Sequence, residues 1–305
     1  MRIAVVGAGG VGGYFGGKLA AAGEDVTFIV RRPFDTLRVE SVKGDFIVER
    51  PKVTGDAASV GAVDAILMCV KAWQVPEATK GILPLIGADT VVVPLENGME
   101  APEQIAAVVG REHAAGGLCG IIAFVVGPGH VRHAGADPFV MCGELDNRPS
   151  ERLQRLCDAF VRAGVKAEIP PDIHRSMWSK FLFIVPTSGL GAITRVPIGV
   201  WRSMPETREF AERAVREIIA LAAARGAALP DDAFERTMER YDAMPPDATT
   251  SLQRDMMEAK PSELDAQLGA VVRMAAESGV DAPVCEFIYR CLLPQERARV
   301  ETRAT

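Results

Sequence analysis

The chain has 305 residues, which is long enough for a large core and predicts two domains rather than one. It has 34 Lys and Arg residues and 40 Asp and Glu residues, and the resulting net charge of -6 creates no positive potential that would attract a polyanion. Nucleic acid is therefore not an expected partner. The N-terminal apolar run soon ends in glycines, far short of a secretion signal or a membrane span, which predicts a cytoplasmic protein without a membrane partner. The six cysteines form no CxxC pair, so we expect reduced thiols and neither disulfides nor a metal site.

Short β-rich runs alternate with helical stretches up to about residue 168, which predicts βαβ units around a mostly parallel sheet. The predicted strands are segments 2–6, 25–30, 65–70, 90–95 and 138–142. Most are continuous apolar runs, as strands buried on both faces require. Segment 117–126 predicts one further strand before a Gly-Pro-Gly turn. These elements make residues 1–169 an α/β domain.

Beyond Pro170-Pro171, β-branched runs give way to long segments with apolar residues at helical spacing. We therefore predict an all-helical domain over residues 170–305, with helices at 205–225, 230–243, 261–278 and 283–298. The core-facing stripe of the first of these helices comprises Phe210, Ala214, Ile218 and Leu221.

A glycine-rich turn follows the first predicted strand. It consists of Gly7, Ala8, Gly9, Gly10, Val11 and Gly12. This GxGxxG pattern between a strand and a helical segment is typical of a Rossmann-type, doubly wound dinucleotide-binding domain. Gly7 permits the tight turn, Gly9 leaves room for the pyrophosphate, and Gly12 lets the helix lie close to the sheet. The helix N-terminus offers free N–H groups to the phosphates. The alternative is a glycine-rich turn that binds no ligand.

The end of the second predicted strand carries Arg31 and Arg32. NAD-preferring proteins usually place an acid there, which accepts hydrogen bonds from the adenosine ribose, whereas an arginine accommodates a 2'-phosphate. A guanidinium holds that phosphate through forked, charge-assisted hydrogen bonds. Arg31 therefore favours NADP(H) as the cofactor. The alternative is that both arginines form a solvated loop pair.

Two further polar residues follow predicted strands. Lys71 follows the strand at 65–70, and Asn97 follows the strand at 90–95, so both lie at carboxyl ends of strands, where open α/β sheets bind their ligands. A loop lysine is usually solvated, however, and an Asn-Gly pair is usually a turn. The spacing alone leaves both interpretations open.

The combination of these motifs resembles the ketopantoate reductases, or 2-dehydropantoate 2-reductases. The residues that carry the resemblance are the glycine turn, Arg31, Val70-Lys71-Ala72-Trp73-Gln74, Asn97-Gly98-Met99, Trp178-Ser179-Lys180, Ser251-Leu252-Gln253-Arg254-Asp255 and Ser262-Glu263-Leu264-Asp265. Each motif alone has modest specificity for the family, but the order and spacing of all of them match the family over both predicted domains.

The resemblance implies NADPH-dependent reduction of a 2-oxo acid to a 2-hydroxy acid, ketopantoate to pantoate in pantothenate biosynthesis. It places the reaction in a cleft between a Rossmann-type domain and a helical domain. It also implies that residues 7–12, Arg31, Lys71 and Asn97 contact the cofactor. The expected partner is a small 2-oxo acid, and the apolar helices are compatible with a homodimer.

The resemblance makes Lys180 the catalytic lysine and Glu263 the carboxylate that binds the substrate hydroxyl and takes part in catalysis. It makes Asn97 and Ser251 substrate contacts. The chemistry agrees, because hydride delivered to a ketone leaves charge on the oxygen, which a positioned ammonium stabilises and protonates.

Each of these assignments has a plain structural alternative. Lys180 could extend from an apolar helix to solvent. Glu263 could be a first-turn acid favoured by the helix dipole, after Ser262 as the N-cap. A capping box completed by Asp265 would instead leave Glu263 available to the substrate. Ser251 could be a cap or turn hydroxyl.

The chain departs from the family pattern on the predicted catalytic helix. Family members commonly carry asparagines four and eight residues after the lysine, where this chain has Ile184 and Ser188. Pro186 lies between them and predicts a kink. The change predicts a pocket that can accept a bulkier or more apolar 2-oxo acid than ketopantoate, which weakens the substrate assignment more than the reaction class. Two other interpretations stay open: a related reductase of another 2-oxo or 3-hydroxy acid, and an NADP(H)-binding sensor without catalysis, which would need neither Lys180 nor Glu263.

Overall fold

The computed structural model describes residues 1–135 and 137–301, the last three without their side chains, and the chain divides into two compact units. The first unit comprises residues 1–96 and 100–174, and the second comprises residues 97–99 and the chain from Arg175 onward. The division predicted at residue 170 falls just before this boundary. Segment 97–99 belongs to the helical unit, although the sequence analysis placed it in the first domain.

The first unit is built on a parallel sheet. In chain order, the strands are β1 (Arg2–Val6), β2 (Asp25–Ile29), β3 (Leu37–Ser41), β4 (Phe46–Val48), β5 (Lys52–Thr54), β6 (Ala65–Met68), β7 (Val91–Pro94), β8 (Ala115–Gly120), β9 (Ala123–Gly127), β10 (His130–His133), β11 (Phe139–Glu144) and β12 (Lys166–Glu168). Five of them form the parallel sheet, in the order β5-β2-β1-β6-β7. Its helices are α1 (Gly10–Ala21), α2 (Val75–Gly81), α3 (Ala101–Val109) and α4 (Glu151–Arg162). The α/β prediction for this unit is confirmed.

Two smaller sheets complete the first unit, in the orders β4-β3-β10-β9 and β12-β11-β8. The prediction of one strand over 117–126 was wrong, because β8 pairs with β11 and β9 pairs with β10 in different sheets. The predicted strand at 138–142 is present as β11, but it runs antiparallel to β8 outside the parallel sheet. A continuous apolar run indicates burial and does not reveal which strand it will pair with.

The second unit is helical, as predicted. Its helices are α5 (Ile173–Thr194, whose first residues lie in the first unit), α6 (Ile198–Trp201), α7 (Pro205–Ala224), α8 (Ala233–Ala243), α9 (Ser251–Met257), α10 (Ala270–Ser278) and α11 (Pro283–Glu301). A π-helical turn, Asp265–Gly269, leads directly into α10. The stripe predicted on α7 was wrong at Phe210, which is 42% exposed, while Ala211 beside it is fully buried.

The alternation of side chains along β1 produces a core on each face of the parallel sheet. Ile3 and Val5 pack with Phe15 of α1 on one face, while Ala4 and Val6 pack on the other face, which α2 and α3 cover. Four buried cysteines form no disulfide with any described residue: Cys119, Cys142, Cys157 and Cys285. Among the described residues, no helix combines the length and the apolar character needed to cross a membrane.

Candidate functional site

In the first unit, the predicted cofactor residues meet at one edge of the parallel sheet. Gly7 follows β1, Arg31 follows β2 and Lys71 follows β6, and β2 and β6 are the two neighbours of β1. Because the three strands are parallel, their carboxyl ends lie at the same edge. Gly7 N donates to Ile29 O at 3.0 Å, which fixes the glycine turn to the end of β2.

The turn requires glycine at two positions for different reasons. Gly7 has φ +90°, a left-handed conformation that L side chains rarely adopt. An added Cβ there would also stand 3.1 Å from Cys69 O. At Gly12, an added Cβ would overlap Gly7 O and stand 2.9 Å from Cys69 Cβ. The start of α1 is therefore packed against its own turn and against the end of β6.

The N-terminus of α1 is open where a dinucleotide phosphate would approach. Gly9 is the N-cap, and a Cβ built on it would meet no atom within 4 Å. No side chain of the described residues caps the helix, and its first turn carries no acid, so its first N–H groups remain available to an anion. Gly10, to which the sequence analysis gave no separate role, packs against β9, since its Cβ would stand 2.5 Å from Ala123 O. These features fit a bound pyrophosphate.

The cations of this edge differ in their surroundings. Arg31 and Arg32 are both exposed, and neither makes a hydrogen bond or an ion pair within the part of the chain that the structure describes. Lys71 is half-buried, and its Nζ lies 5.9 Å from the centroid of the Trp73 ring. The structure thus leaves both arginines available to a ligand and does not by itself distinguish between them.

In the second unit, Lys180 lies on α5, which runs unbroken through Pro186. Pro186 cannot donate to Leu182 O, the carbonyl four residues before it. Tyr241 of α8 lies beside this interruption: its hydroxyl donates to Phe183 O at 3.0 Å and lies 3.5 Å from Leu182 O. Burial raises the pKa of Tyr241, so its hydroxyl stays a donor. The tyrosine therefore supports the helix at the point where a kink was predicted.

Lys180 itself is half-buried, and within residues 1–135 and 137–301 its ammonium makes neither a hydrogen bond nor an ion pair. Helical geometry places Ile184 and Ser188 on the same side of α5, one and two turns further on. Ile184 is half-buried, and Ser188 is buried. The lysine is thus a cation on a partly enclosed surface, and no anion of the described residues neutralises it.

Asn97 and Glu263 lie near the π-helical turn. Gly98, with φ +146°, packs against this turn, because an added Cβ would stand 3.2 Å from Ala266 O. Asn97 is half-buried and makes no hydrogen bond to another described residue. Glu263 directly precedes the helical segment, and its side chain is buried. Within the second unit, the structure therefore brings the backbone beside Asn97 to the turn that follows Glu263.

The capping box predicted around Glu263 was wrong in part. Leu264 N donates to Ser262 Oγ at 3.3 Å, as a cap requires, but Ser262 N donates to Glu296 Oε1 at 2.9 Å and not to Asp265. Asp265 instead binds Arg273 and accepts a hydrogen bond from Tyr289. The residue that takes the place of Asp265 comes from α11, thirty-four positions away in sequence.

Asp265 has a structural role of its own. The hydroxyl of Tyr289 donates to Asp265 Oδ1 at 2.8 Å, and Arg273 Nη1 lies 3.0 Å from Asp265 Oδ2. Burial and the hydrogen bond to Asp265 raise the pKa of Tyr289 to about 12. These contacts tie the π-helical turn to α10 and α11.

Ser251 is the first residue of α9, and Thr250 is the cap: its Oγ1 accepts a hydrogen bond from Gln253 N at 3.2 Å. Ser251 is half-buried, and its hydroxyl makes no hydrogen bond to a described residue. The alternative that Ser251 serves as the helix cap is therefore wrong. The role of Ser251 as a substrate contact stays a prediction.

The sequence analysis did not single out Gln267, which lies one turn after Glu263 in the π-helical turn and is fully buried. Its Nε2 and Oε1, like Ser188 Oγ, have no hydrogen-bond partner among the described residues. The only signal in the sequence was the spacing of four between Glu263 and Gln267, which places them on one helical side.

Comparisons with known proteins cover nearly the whole chain. Two family models match: ketopantoate reductase PanE/ApbA over residues 3–147, and ketopantoate reductase PanE/ApbA C terminal over residues 172–296. The uncharacterized oxidoreductase YkpB of Bacillus subtilis is 30% identical, covering 95% of this chain and 97% of the relative. The 2-dehydropantoate 2-reductase of Nostoc sp. is also 30% identical, covering 95% of this chain and 94% of the relative. The crystal structure of 2-dehydropantoate 2-reductase from Geobacter metallireducens is similar with a TM-score of 0.90 at 30% identity, covering 97% of this chain and 99% of that one.

Proposed function

Because the chain belongs to the ketopantoate reductase family, we propose that it is an NADPH-dependent oxidoreductase that reduces 2-dehydropantoate (ketopantoate) to pantoate. The observation that carries the proposal is the Lys180 ammonium, half-buried on α5 and without an anionic partner among the described residues. Such a cation is available to the oxygen of a ketone.

The first unit would hold the cofactor through its backbone and its cations. The N–H groups at the start of α1 would bind the pyrophosphate, for which Gly9 leaves space. Arg31 would bind the 2'-phosphate, and Lys71 would add a second positive charge at the same edge. Arg31 has no protein partner to give up among the described residues, so its whole hydrogen-bonding capacity is available to the phosphate.

The second unit would bind the 2-oxo acid and complete the chemistry. Bound NADPH supplies a hydride to the ketone carbon. As the C=O bond becomes a single bond, the electron pair moves to oxygen, where Lys180 stabilises the charge and donates its proton. The product is the 2-hydroxy acid, and the lysine regains its proton from water.

The remaining predicted site residues would orient the substrate. Glu263, a buried carboxylate, would accept a hydrogen bond from the substrate hydroxyl. The side-chain N–H of Asn97 would donate a hydrogen bond to the ketone oxygen or to the cofactor ribose. Ser251, whose hydroxyl is not used as a cap, would hydrogen-bond the substrate.

Ile184, one turn after Lys180 on α5, favours a second candidate substrate within the same reaction class. Ile184 presents an apolar side chain where the family commonly has an amide, so a 2-oxo acid with a larger apolar substituent is the alternative substrate. A purified sample assayed for NADPH oxidation against a panel of 2-oxo acids, with ketopantoate included, tests both. We expect the highest kcat/KM for ketopantoate. A higher value for a bulkier 2-oxo acid would favour the alternative, and no oxidation with any 2-oxo acid would refute the reductase function.

We also propose that the protein works in the cytoplasm as a homodimer. The proposal rests on the apolar helices of the second unit, on which Phe210 and Phe287 are exposed. Light scattering at micromolar concentration measures the mass directly, and a monomer of 32.6 kDa would refute the dimer.

A further inference from the structure

Two buried side chains of the second unit carry polar atoms that no described residue satisfies. Gln267 has 0% of its surface exposed and Ser188 has 1%. Neither Gln267 Nε2 nor Gln267 Oε1 nor Ser188 Oγ has a hydrogen-bond partner among the described residues. Buried polar groups are normally paired, because an unpaired donor or acceptor forfeits its interaction with water and gains none in return. These unpaired atoms therefore indicate a hydrogen-bond partner that the described residues do not supply.

The two residues lie on neighbouring segments. A Cβ placed on Gly189, the residue after Ser188, would stand 3.0 Å from Leu268 Cδ1, and Leu268 follows Gln267 directly. The turn that holds Gln267 is π-helical, a conformation that is rare and frequent at functional sites. Its other side contacts Gly98, beside Asn97.

Gln267 also stands in a fixed relation to Glu263. Gln267 N donates to Glu263 O at 3.0 Å, so the two residues lie one turn apart, and a helical side chain leans toward the N-terminus of its helix. Gln267 therefore extends toward the level of Glu263. Its amide offers two N–H donors and one acceptor, whereas a carboxylate only accepts.

We infer that Gln267 is a specificity-determining residue, whose amide hydrogen-bonds the hydroxyl that the 2-oxo acid carries beyond its ketone. The inference rests on the proposed function. The hydroxyl donates a hydrogen bond to Glu263, and its own oxygen needs a hydrogen-bond donor, which Gln267 Nε2 supplies. A 2-oxo acid without that hydroxyl leaves the amide unsatisfied and is disfavoured.

The test compares two substrates with the same carbon skeleton: ketopantoate, and 3,3-dimethyl-2-oxobutanoate, which lacks only the hydroxyl. In Gln267→Met, which keeps the length of the side chain but removes its amide, kcat/KM for ketopantoate should fall about tenfold or more. The value for the deoxy substrate should stay the same or rise. The midpoint of thermal unfolding should not fall, because the variant removes an unsatisfied buried amide. Gln267→Leu is the second variant if Gln267→Met does not fold.

Gln253→Leu is the matched control, since Gln253 is also a buried glutamine of this unit but its Nε2 donates to Val196 O at 3.0 Å. We expect Gln253→Leu to lower the unfolding midpoint and leave the preference between the two substrates unchanged. Equal changes for both substrates in Gln267→Met, or no change for either, would overturn the inference while the reductase function stands. A wild-type enzyme that reduces both substrates equally well would also overturn the inference and leave the reductase function standing. A wild-type protein that reduces neither would refute the proposed function and, with it, the role of Gln267.

Discussion

The choice between NADPH and NADH is predicted to depend on Arg31, and Arg31→Ala isolates its contribution. Arg31 is exposed and has no hydrogen bond or ion pair within the described residues, so its removal leaves no protein group unpaired. A hydrogen bond to a charged group contributes roughly 1.5 to 3 kcal/mol, and exposure to water and salt places this one near the lower end. We therefore expect about a tenfold increase in the Kd of NADPH. The Kd of NADH should change little, because NADH lacks the 2'-phosphate.

Fluorescence titration of both cofactors with the wild type, Arg31→Ala and Arg32→Ala measures these values. Arg32 is the matched control because it is the adjacent arginine, is equally exposed and likewise has no partner in the described part of the chain. The preference for NADPH should also weaken as salt increases, since the contact is exposed. An equal loss of affinity for both cofactors in Arg31→Ala would show that Arg31 contacts something they share. A selective loss in Arg32→Ala alone would assign the phosphate to Arg32.

Two other features of the first unit yield predictions. Gly9→Ala places a methyl group in open space, so it should weaken NADPH binding with little change in the unfolding midpoint. Gly12→Ala, whose Cβ overlaps the turn, should lower both the affinity for NADPH and the unfolding midpoint. Thermal melts and cofactor titrations of the two variants test this, and normal NADPH binding by Gly9→Ala would contradict it. Glu144 is 6% exposed and binds Arg152 at 2.8 Å, so Glu144→Gln should cost about 3 kcal/mol of unfolding free energy at pH 7. Burial opposes the ionisation of Glu144, but the hydrogen bonds from Arg152 and Ser150, together with the positive charges of Arg152 and Arg148, outweigh it and lower its pKa. The stabilisation is therefore present above the pKa of the unfolded chain and is lost as pH falls through the lower, folded value. Denaturant unfolding from pH 7 to pH 3 should show the gap between wild type and variant closing, and a gap that stayed constant would refute the assignment.

The parallel sheet and the glycine turn were predictable because their signals are local. The apolar run of β1 and the glycines after it lie within a dozen residues, and each requirement at Gly7 and Gly12 arises from the turn or from the next strand. The partners of β8 and β9 were not predictable, since an apolar run does not state where it pairs.

The second unit shows the same limit in its side chains. Phe210 was expected in the core because it lies four residues before Ala214, but the buried side of α7 is centred on Ala211 and Ala214, and Phe210 lies at its margin. Periodicity gives the direction of an apolar stripe more reliably than its edges. Ser262 donates hydrogen bonds from its backbone N–H and its hydroxyl to Glu296, and such long-range partners leave no local pattern in sequence.

The central claim is that Lys180 donates the proton to the reduced ketone, and Lys180→Ala tests it most directly. Steady-state turnover of ketopantoate and the Kd of NADPH should be measured for the wild type, for Lys180→Ala and for Lys260→Ala, in which an exposed lysine of the same unit is removed. Loss of a general acid predicts that turnover in Lys180→Ala falls by about 10² to 10⁴. The Kd of NADPH should stay within about twofold of the wild-type value, since the proposed cofactor contacts of the first unit are untouched and twofold corresponds to only about 0.4 kcal/mol. Lys260→Ala should match the wild type in both. Near-normal turnover in Lys180→Ala would contradict the proposed mechanism.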